Sequence, residues 1–263
     1  MATTMKSGHV NANGLQMYYE IHGEGRPLVL LHGALSATGS SFGNYIPTLA
    51  QTHQVLALEM QAHGHTPDID RPLRIRTMAD DTVAALRELR IDQADFFGYS
   101  MGAGIAFDVA LRHPELVRKL VLASLTFSKS GFHPGALEGL AQLRPEHLEG
   151  SPWQQEYSRV APNQDDWPVL LEKIKDMNFN LPEWTDADIR SLKAPALIAA
   201  GDSDVVPEHL VHVFRLLGGG VSGDTPAGLP KSQLAILPGT SHTMMVDRAE
   251  MLLPMMSAFI GRD

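Results

Sequence analysis

Three side chains of this 263-residue chain have the types and placement needed to activate a hydroxyl group. Ser100 lies in Gly98-Tyr99-Ser100-Met101-Gly102, after the apolar run Ala94-Asp95-Phe96-Phe97 and before a helical pattern from Ile105 to Leu111. A serine between a strand and a helix sits on a sharp turn, and its neighbours must be small for the chain to double back. Gly98 and Gly102 meet that need, and Gly104 is expected to let the helix pack close to the strand. The hydroxyl then stands clear at the end of the sheet. The Met101 N–H points from the positive end of the helix to where an oxyanion forms. A serine hydroxyl is a weak nucleophile near neutral pH. It needs a base within hydrogen-bond reach, and the base needs an orienting carboxylate.

In an open parallel sheet, functional loops gather beyond the carboxyl ends of the strands. One such loop, Pro238-Gly239-Thr240-Ser241-His242, follows the last apolar run and precedes the closing helix. Of the chain's 12 histidines, His242 is the one whose position suits the base. The preceding strand ends in Gly201-Asp202-Ser203-Asp204-Val205-Val206-Pro207. Both aspartates are near enough to serve. Asp204 is favoured because it lies deeper in the loop, before residues that fix its course, while Asp202 suits a turn or cap. The strand ending at Ala123 is followed by Ser124, so no carboxylate is available there.

The elements that must hold these loops are legible as alternating patterns. Residues 9–22 read as a hairpin turning at Asn11-Ala12-Asn13-Gly14. Leu28-Val29-Leu30-Leu31, Val55-Leu56-Ala57-Leu58, Leu120-Val121-Leu122-Ala123, Ala196-Leu197-Ile198-Ala199-Ala200 and Leu234-Ala235-Ile236-Leu237 are continuous apolar runs. The runs Leu28 to Leu31 and Ala196 to Ala200 look like parallel strands covered on both faces, and the other three are read as further strands. Helical spacing is expected over about 42–50, from Thr77 to Leu89, over 207–217 and over 247–260. Strand and helix alternate, which predicts a parallel sheet with right-handed crossovers. Residues 127–190 break the alternation. They hold all three tryptophans and short helical segments but no strand-like run, and are expected to form a helical cap over Ser100. Residues 1–126 and 191–263 form the core in this reading.

Ser100, Asp204 and His242 thus occur in the chain order nucleophile, acid, base. With Leu31-His32-Gly33 after the early strand, this set of motifs resembles the α/β-hydrolase superfamily along nearly the whole chain. The resemblance implies an α/β fold with an eight-stranded, mostly parallel sheet and a cap inserted after the sixth strand. It also implies an oxyanion hole formed by the backbone N–H groups of Ala34 and Met101. The chain departs from the family's frequent D-x-x-G-x-G-x-S, with Glu59, Ala62, Gly64 and Thr66 at those places. Ala62 for glycine suggests a changed backbone path and pocket shape. Leu35, Phe127, Trp153, Trp184, Val206 and Met244 are the candidate pocket walls.

His63-Gly64-His65-Thr66-Pro67-Asp68 resembles the start of a metallo-hydrolase motif, but its spacing is wrong and no histidine follows the aspartate. These histidines are expected to be solvated loop residues, and His32 to hold the oxyanion loop. No metal site is expected, and the methionines, Met101 and Met244 among them, are read as filler and lining.

Composition excludes several classes. Hydrophobic residues are 44% and charged residues 19%, ordinary for a globular chain. A net charge of −9 argues against nucleic acid or an anionic membrane as partner. The absence of cysteine excludes disulfides and thiolate catalysis. Met1 to His9 shows no apolar core of a secretion signal, so the expected location is the cytoplasm. The expected reaction is hydrolysis of a carboxylic ester, or a related acyl bond, of a small molecule through an acyl-enzyme and without a cofactor. Cofactor-free haloperoxidases (perhydrolases), lactonases and carbon–carbon bond hydrolases use the same three residues and are the alternatives. A ligand receptor on the same fold is the reading from a different class, and slow, near-single turnover would mark it. Nothing in the sequence bears on the number of copies.

Overall fold

The structure, a computed structural model, describes residues 5–261; residues 1–4, which begin the stretch read above for a signal, lie outside the described residues. Strands β1 (Met5–Ala12) and β2 (Leu15–His22) form an antiparallel hairpin. Asn13 and Gly14 make its turn with φ of 55° and 89°, the left-handed pair that a two-residue hairpin requires. The remaining strands are β3 (Arg26–Leu31), β4 (His53–Leu58), β5 (Ala94–Tyr99), β6 (Val117–Ala123), β7 (Ala196–Ser203) and β8 (Gln233–Ser241). They form one eight-stranded sheet in the order β1-β2-β4-β3-β5-β6-β7-β8. Only β1–β2 and β2–β4 are antiparallel, so the fold is the mostly parallel α/β architecture expected from the alternation.

Helices α1 (Thr38–Phe42), α2 (Ile46–Leu49), α3 (Ile75–Glu88) and α4 (Met101–Arg112) join the first strands. Between β6 and β7 come α5 (Ala136–Ala141), α6 (Pro152–Val160), α7 (Trp167–Phe179) and α8 (Asp186–Ser191). Helices α9 (Pro207–Leu216) and α10 (Ala249–Ile260) complete the chain. Alternate residues of each central strand point to opposite faces. Val29, Leu31, Phe96, Leu120 and Leu122 pack with α3, α4 and α9. Leu28, Leu30, Phe97, Val121 and Ala199 pack with α1, α2 and α10. Each fully buried valine, leucine or phenylalanine among them contributes roughly 1.5–3 kcal/mol, which is why the central strands read as unbroken apolar runs. The inserted helices join the first of these clusters through Leu170, Leu171, Ile174 and Met177.

Several boundaries differ from the sequence reading, two of them at prolines. The helix expected over 42–50 is two short helices, and Pro47 sits in the first turn of the second, where its missing N–H has no helical partner to lose. Pro238 to Ser241, read as loop, continues β8, and Ser241 pairs with Ser203 beyond an irregularity in the ladder. β8 is the sheet's edge strand, where proline is tolerated.

Candidate active site

Ser100 joins β5 to α4 with φ 53° and ψ −115°. Its N–H donates to Ala123 O at 2.8 Å and its carbonyl accepts from Gly104 N–H at 3.1 Å, which holds the unusual backbone in place. A Cβ on Gly98 would lie 2.3 Å from Gly102 O, and one on Gly102 would lie 1.9 Å from Leu31 O. Both contacts are with backbone, so neither can give way. We expect Gly102→Ala to lose at least about 3 kcal/mol of stability or to yield no folded protein, measured by urea unfolding. Gly104 is different. A Cβ there would meet the Ile75 and Trp184 side chains at 3.4 and 3.6 Å, ordinary contacts, so this glycine serves open space and not the close packing expected of it.

His242 Nε2 lies 2.9 Å from Ser100 Oγ, and His242 Nδ1 lies 2.7 Å from Asp204 Oδ1. A carboxylate accepts the Nδ1–H, which leaves Nε2 as the acceptor facing the serine hydroxyl. The Asp204 side chain is completely buried while His242 is 47% exposed. Asp204 Oδ2 accepts a second bond from Ser124 Oγ, so both carboxylate oxygens are satisfied. Tyr99 Oη donates to His242 O at 2.8 Å, and burial, then nearby Asp204, raises its phenol pKa and keeps it a donor. Asp202 points elsewhere and accepts from the Gly239 and Thr240 N–H groups at 2.9 and 3.2 Å. Neither Ser124 nor Tyr99 was legible as part of this group, because their partners lie 80 and 143 residues away.

The loop after β3 approaches the same point. His32 Nδ1–H donates to Gly33 O at 2.8 Å and His32 Nε2 accepts from Met60 N–H at 2.9 Å, as expected of a loop-holding residue. His63 departs from expectation, being buried where a solvated residue was foreseen. It accepts from Leu35 N–H at 3.2 Å and donates to Gln61 O at 2.8 Å, which braces Leu35 at φ 64°. Ala62, also at φ 64°, holds the left-handed conformation a glycine would adopt, so the alanine does not force a different conformation there. In the segment that resembles a metallo-hydrolase motif, His65 bonds Glu59 and Asp68 pairs with Lys173.

Burial, and then His32 nearby, push the His63 pKa from 6.5 to about 3. The unfolded chain therefore binds a proton that the folded chain refuses between these values, and stability is lost as pH falls through that window. The slope is at most about 1.4 kcal/mol per pH unit for one group. We expect the melting temperature to fall between pH 7 and pH 4 less steeply in His63→Gln than in the unaltered chain, as thermal unfolding across pH will show.

Residues 26–150 match the family model described as the alpha/beta hydrolase fold. The 2-hydroxymuconate semialdehyde hydrolase of Pseudomonas sp. (strain CF600) is 36% identical over 115 residues, 42% of this chain and 40% of that protein. The dihydrolipoyllysine-residue acetyltransferase component of the acetoin cleaving system from Pseudomonas putida is 27% identical over 260 residues, 94% of this chain and 67% of that protein. Among solved structures, a 2-hydroxy-6-oxo-6-phenylhexa-2,4-dienoate hydrolase from Rhodococcus sp. strain RHA1 superposes over 99% of this chain and 100% of its own, with a TM-score of 0.76 and 17% identity. The chain has the α/β-hydrolase fold. The first curated relatives are each matched over less than half their length, 40–47%.

In this α/β-hydrolase-fold chain Ser100, Asp204 and His242 open onto a cavity of about 460 Å³, which Ala34 and Met101 also line. Of the candidate walls, Leu35, Trp153 and Trp184 line this cavity. Three expected walls do not. Phe127 is fully buried behind the lining, edge-on to Phe107 at 4.9 Å. Val206 gives way to its neighbour Val205, because Val206 caps α9 and bonds Gly131 O through its N–H. Met244 is 38% exposed, and Thr243 lines the cavity in its stead. Leu140, Leu143, Leu148 and Met177 also contribute, and the helical spacing of their segments gave no sign of which face would meet the cavity. Among the described residues, no helix is long and apolar enough to cross a membrane.

Proposed function

We propose that the chain is a serine hydrolase that cleaves a carboxylic ester, or a related acyl bond, of a small neutral molecule. The observation that carries this reading is the continuous relay from Asp204 through His242 to Ser100 at the floor of an apolar cavity. Ser100 Oγ attacks the carbonyl carbon as His242 Nε2 takes its proton, and Asp204 stabilises the imidazolium that forms. The N–H groups of Ala34 and Met101 receive the oxyanion. His242 returns the proton to the leaving alcohol, and water, activated in the same way, releases the acid and frees Ser100. Residues 127–190 act as a cap in this reading, supported by the lining role of Leu140, Leu148, Trp153 and Met177.

The lining favours an ester over the anionic dienoate for which the Rhodococcus protein is named. No lysine or arginine is among the lining residues, so a substrate carboxylate would enter without a counter-charge, at a desolvation cost of several kcal/mol. The test is hydrolysis of p-nitrophenyl esters by the unaltered chain and by Ser100→Ala; equal rates overturn the assignment. Multiple turnovers by the unaltered chain separate an enzyme from a receptor on the same fold.

A further inference from the structure

Trp184 stands between two cavities. One is the cavity over Ser100. The other is a cleft of about 740 Å³ between the start of α3, the later turns of α4, and residues 180–191. Ile75, Pro182 and Trp184 line both, so the partition is one layer of side chains thick. The indole packs among aromatic rings. It meets Phe107 edge-on at 5.0 Å, and its backbone N–H donates to Phe127 O at 3.0 Å. Facing it on α4 is Gly104, whose missing side chain leaves space between the serine turn and the indole.

The two sides differ in chemistry. The Ser100 side is apolar and carries no lysine or arginine. The far side is charged: Arg112 binds Asp108 and Asp80, and Arg74 binds Asp176. An acyl chain seated on Ser100 gains by burying methylenes until it meets the indole, and beyond it would enter a charged, hydrated cleft.

We infer that Trp184, with Ile75 and Pro182, is the end wall of the acyl site and sets the longest acyl chain accepted. This rests on the serine-hydrolase reading above. Removing the indole joins the cavity to the cleft and gives a long chain a way out at the rear, while a side chain on Gly104 shortens the site.

The experiment uses ethyl p-nitrophenyl alkylphosphonates with butyl and dodecyl chains, neutral diesters that report acyl-site fit without turnover. Ser100 Oγ forms a bond to phosphorus, p-nitrophenolate leaves with the electron pair of the broken P–O bond, and His242 takes the serine proton. Adducts are followed by intact mass and the folded state by thermal unfolding. The dodecyl-to-butyl rate ratio is expected to rise by at least about tenfold in Trp184→Ala, the order of discrimination that methylene fit supplies in an apolar pocket. In Gly104→Val the ratio is expected to fall. Should Trp184→Ala not fold, Ile75→Ala opens the same wall from α3 and carries the same expectation. A ratio unchanged from the unaltered chain in a folded wall variant overturns the wall. Absence of any Ser100 adduct in the unaltered chain overturns the serine-hydrolase reading, and the wall with it.

Discussion

Ser100→Ala is expected to lower kcat for a p-nitrophenyl ester by up to about 10⁶-fold, with KM little changed. The size follows from what the substitution removes. Without Oγ, no acyl-enzyme forms, and His242 has no hydroxyl to deprotonate at 2.9 Å. The cavity and the Ala34 and Met101 N–H groups remain, so binding persists and a residual rate over water is retained. Alanine inherits φ 53° with the same Cβ that serine already carries, so the backbone strain of the turn is unchanged. Stability should therefore stay within about 0.5 kcal/mol, the range of substitutions that add no cavity or unsatisfied group. Steady-state kinetics with parallel melting curves make the check. A collapse of rate together with a collapse of melting temperature would mean that fold, and not chemistry, had been lost.

The second large effect belongs to the acid. Asp204→Asn should lower kcat by about 10⁴-fold while leaving the protein folded. The amide keeps the shape of the carboxylate but presents an NH₂ to His242 Nδ1, which forces the imidazole proton onto Nε2. Nε2 then faces Ser100 Oγ as a donor and cannot take its proton. Asp202→Asn is the matched comparison, two residues away. Its carboxylate accepts from Gly239 and Thr240 N–H groups and touches neither His242 nor Ser100. It should lower the melting temperature only slightly, because Asp202 is exposed to water, and leave the rate within a few-fold. Equal losses in the two variants would remove Asp204 from its assigned place.

The pairing of Asp204 with His242, and of His242 with Ser100, was legible because each residue sits at a strand end where topology leaves little freedom. Gly98 and Gly102 advertise a turn in which a Cβ collides with backbone, so the sequence around Ser100 admits few other shapes. The eight strands were legible for a related reason, since burial on both faces removes polar residues from the middle ones. Ser124 was not legible. A serine after a strand is common, and its bond to Asp204 depends on β6 and β7 lying side by side. His63 was misread as solvated because glycine, proline and aspartate around it resemble an exposed loop, while it is buried beneath the loop after β3 and accepts a hydrogen bond from that loop's Leu35 N–H. Phe127 was placed in the lining with Trp153 and Trp184, yet it is buried behind the cavity, edge-on to Phe107. Each of these depends on contacts distant in sequence, which local pattern does not encode.

The insertion between β6 and β7 has a consequence for how this protein can change. Leu120 to Ala123 pair in register with Ala196 to Ala199, so the two strands that flank the insertion are immediate neighbours. From ladder spacing and rise per residue, Ala123 and Ala196 lie about 11 Å apart. Lengthening or replacing the stretch between them alters loop-closure entropy by well under 1 kcal/mol for modest changes in length, and it leaves every strand pairing of the sheet intact. Ser100, Asp204 and His242 all lie outside that stretch. On the serine-hydrolase reading, exchanging this one contiguous segment would replace the cavity walls it supplies while leaving Ser100, Asp204 and His242 in place, so the gene could diversify by cassette.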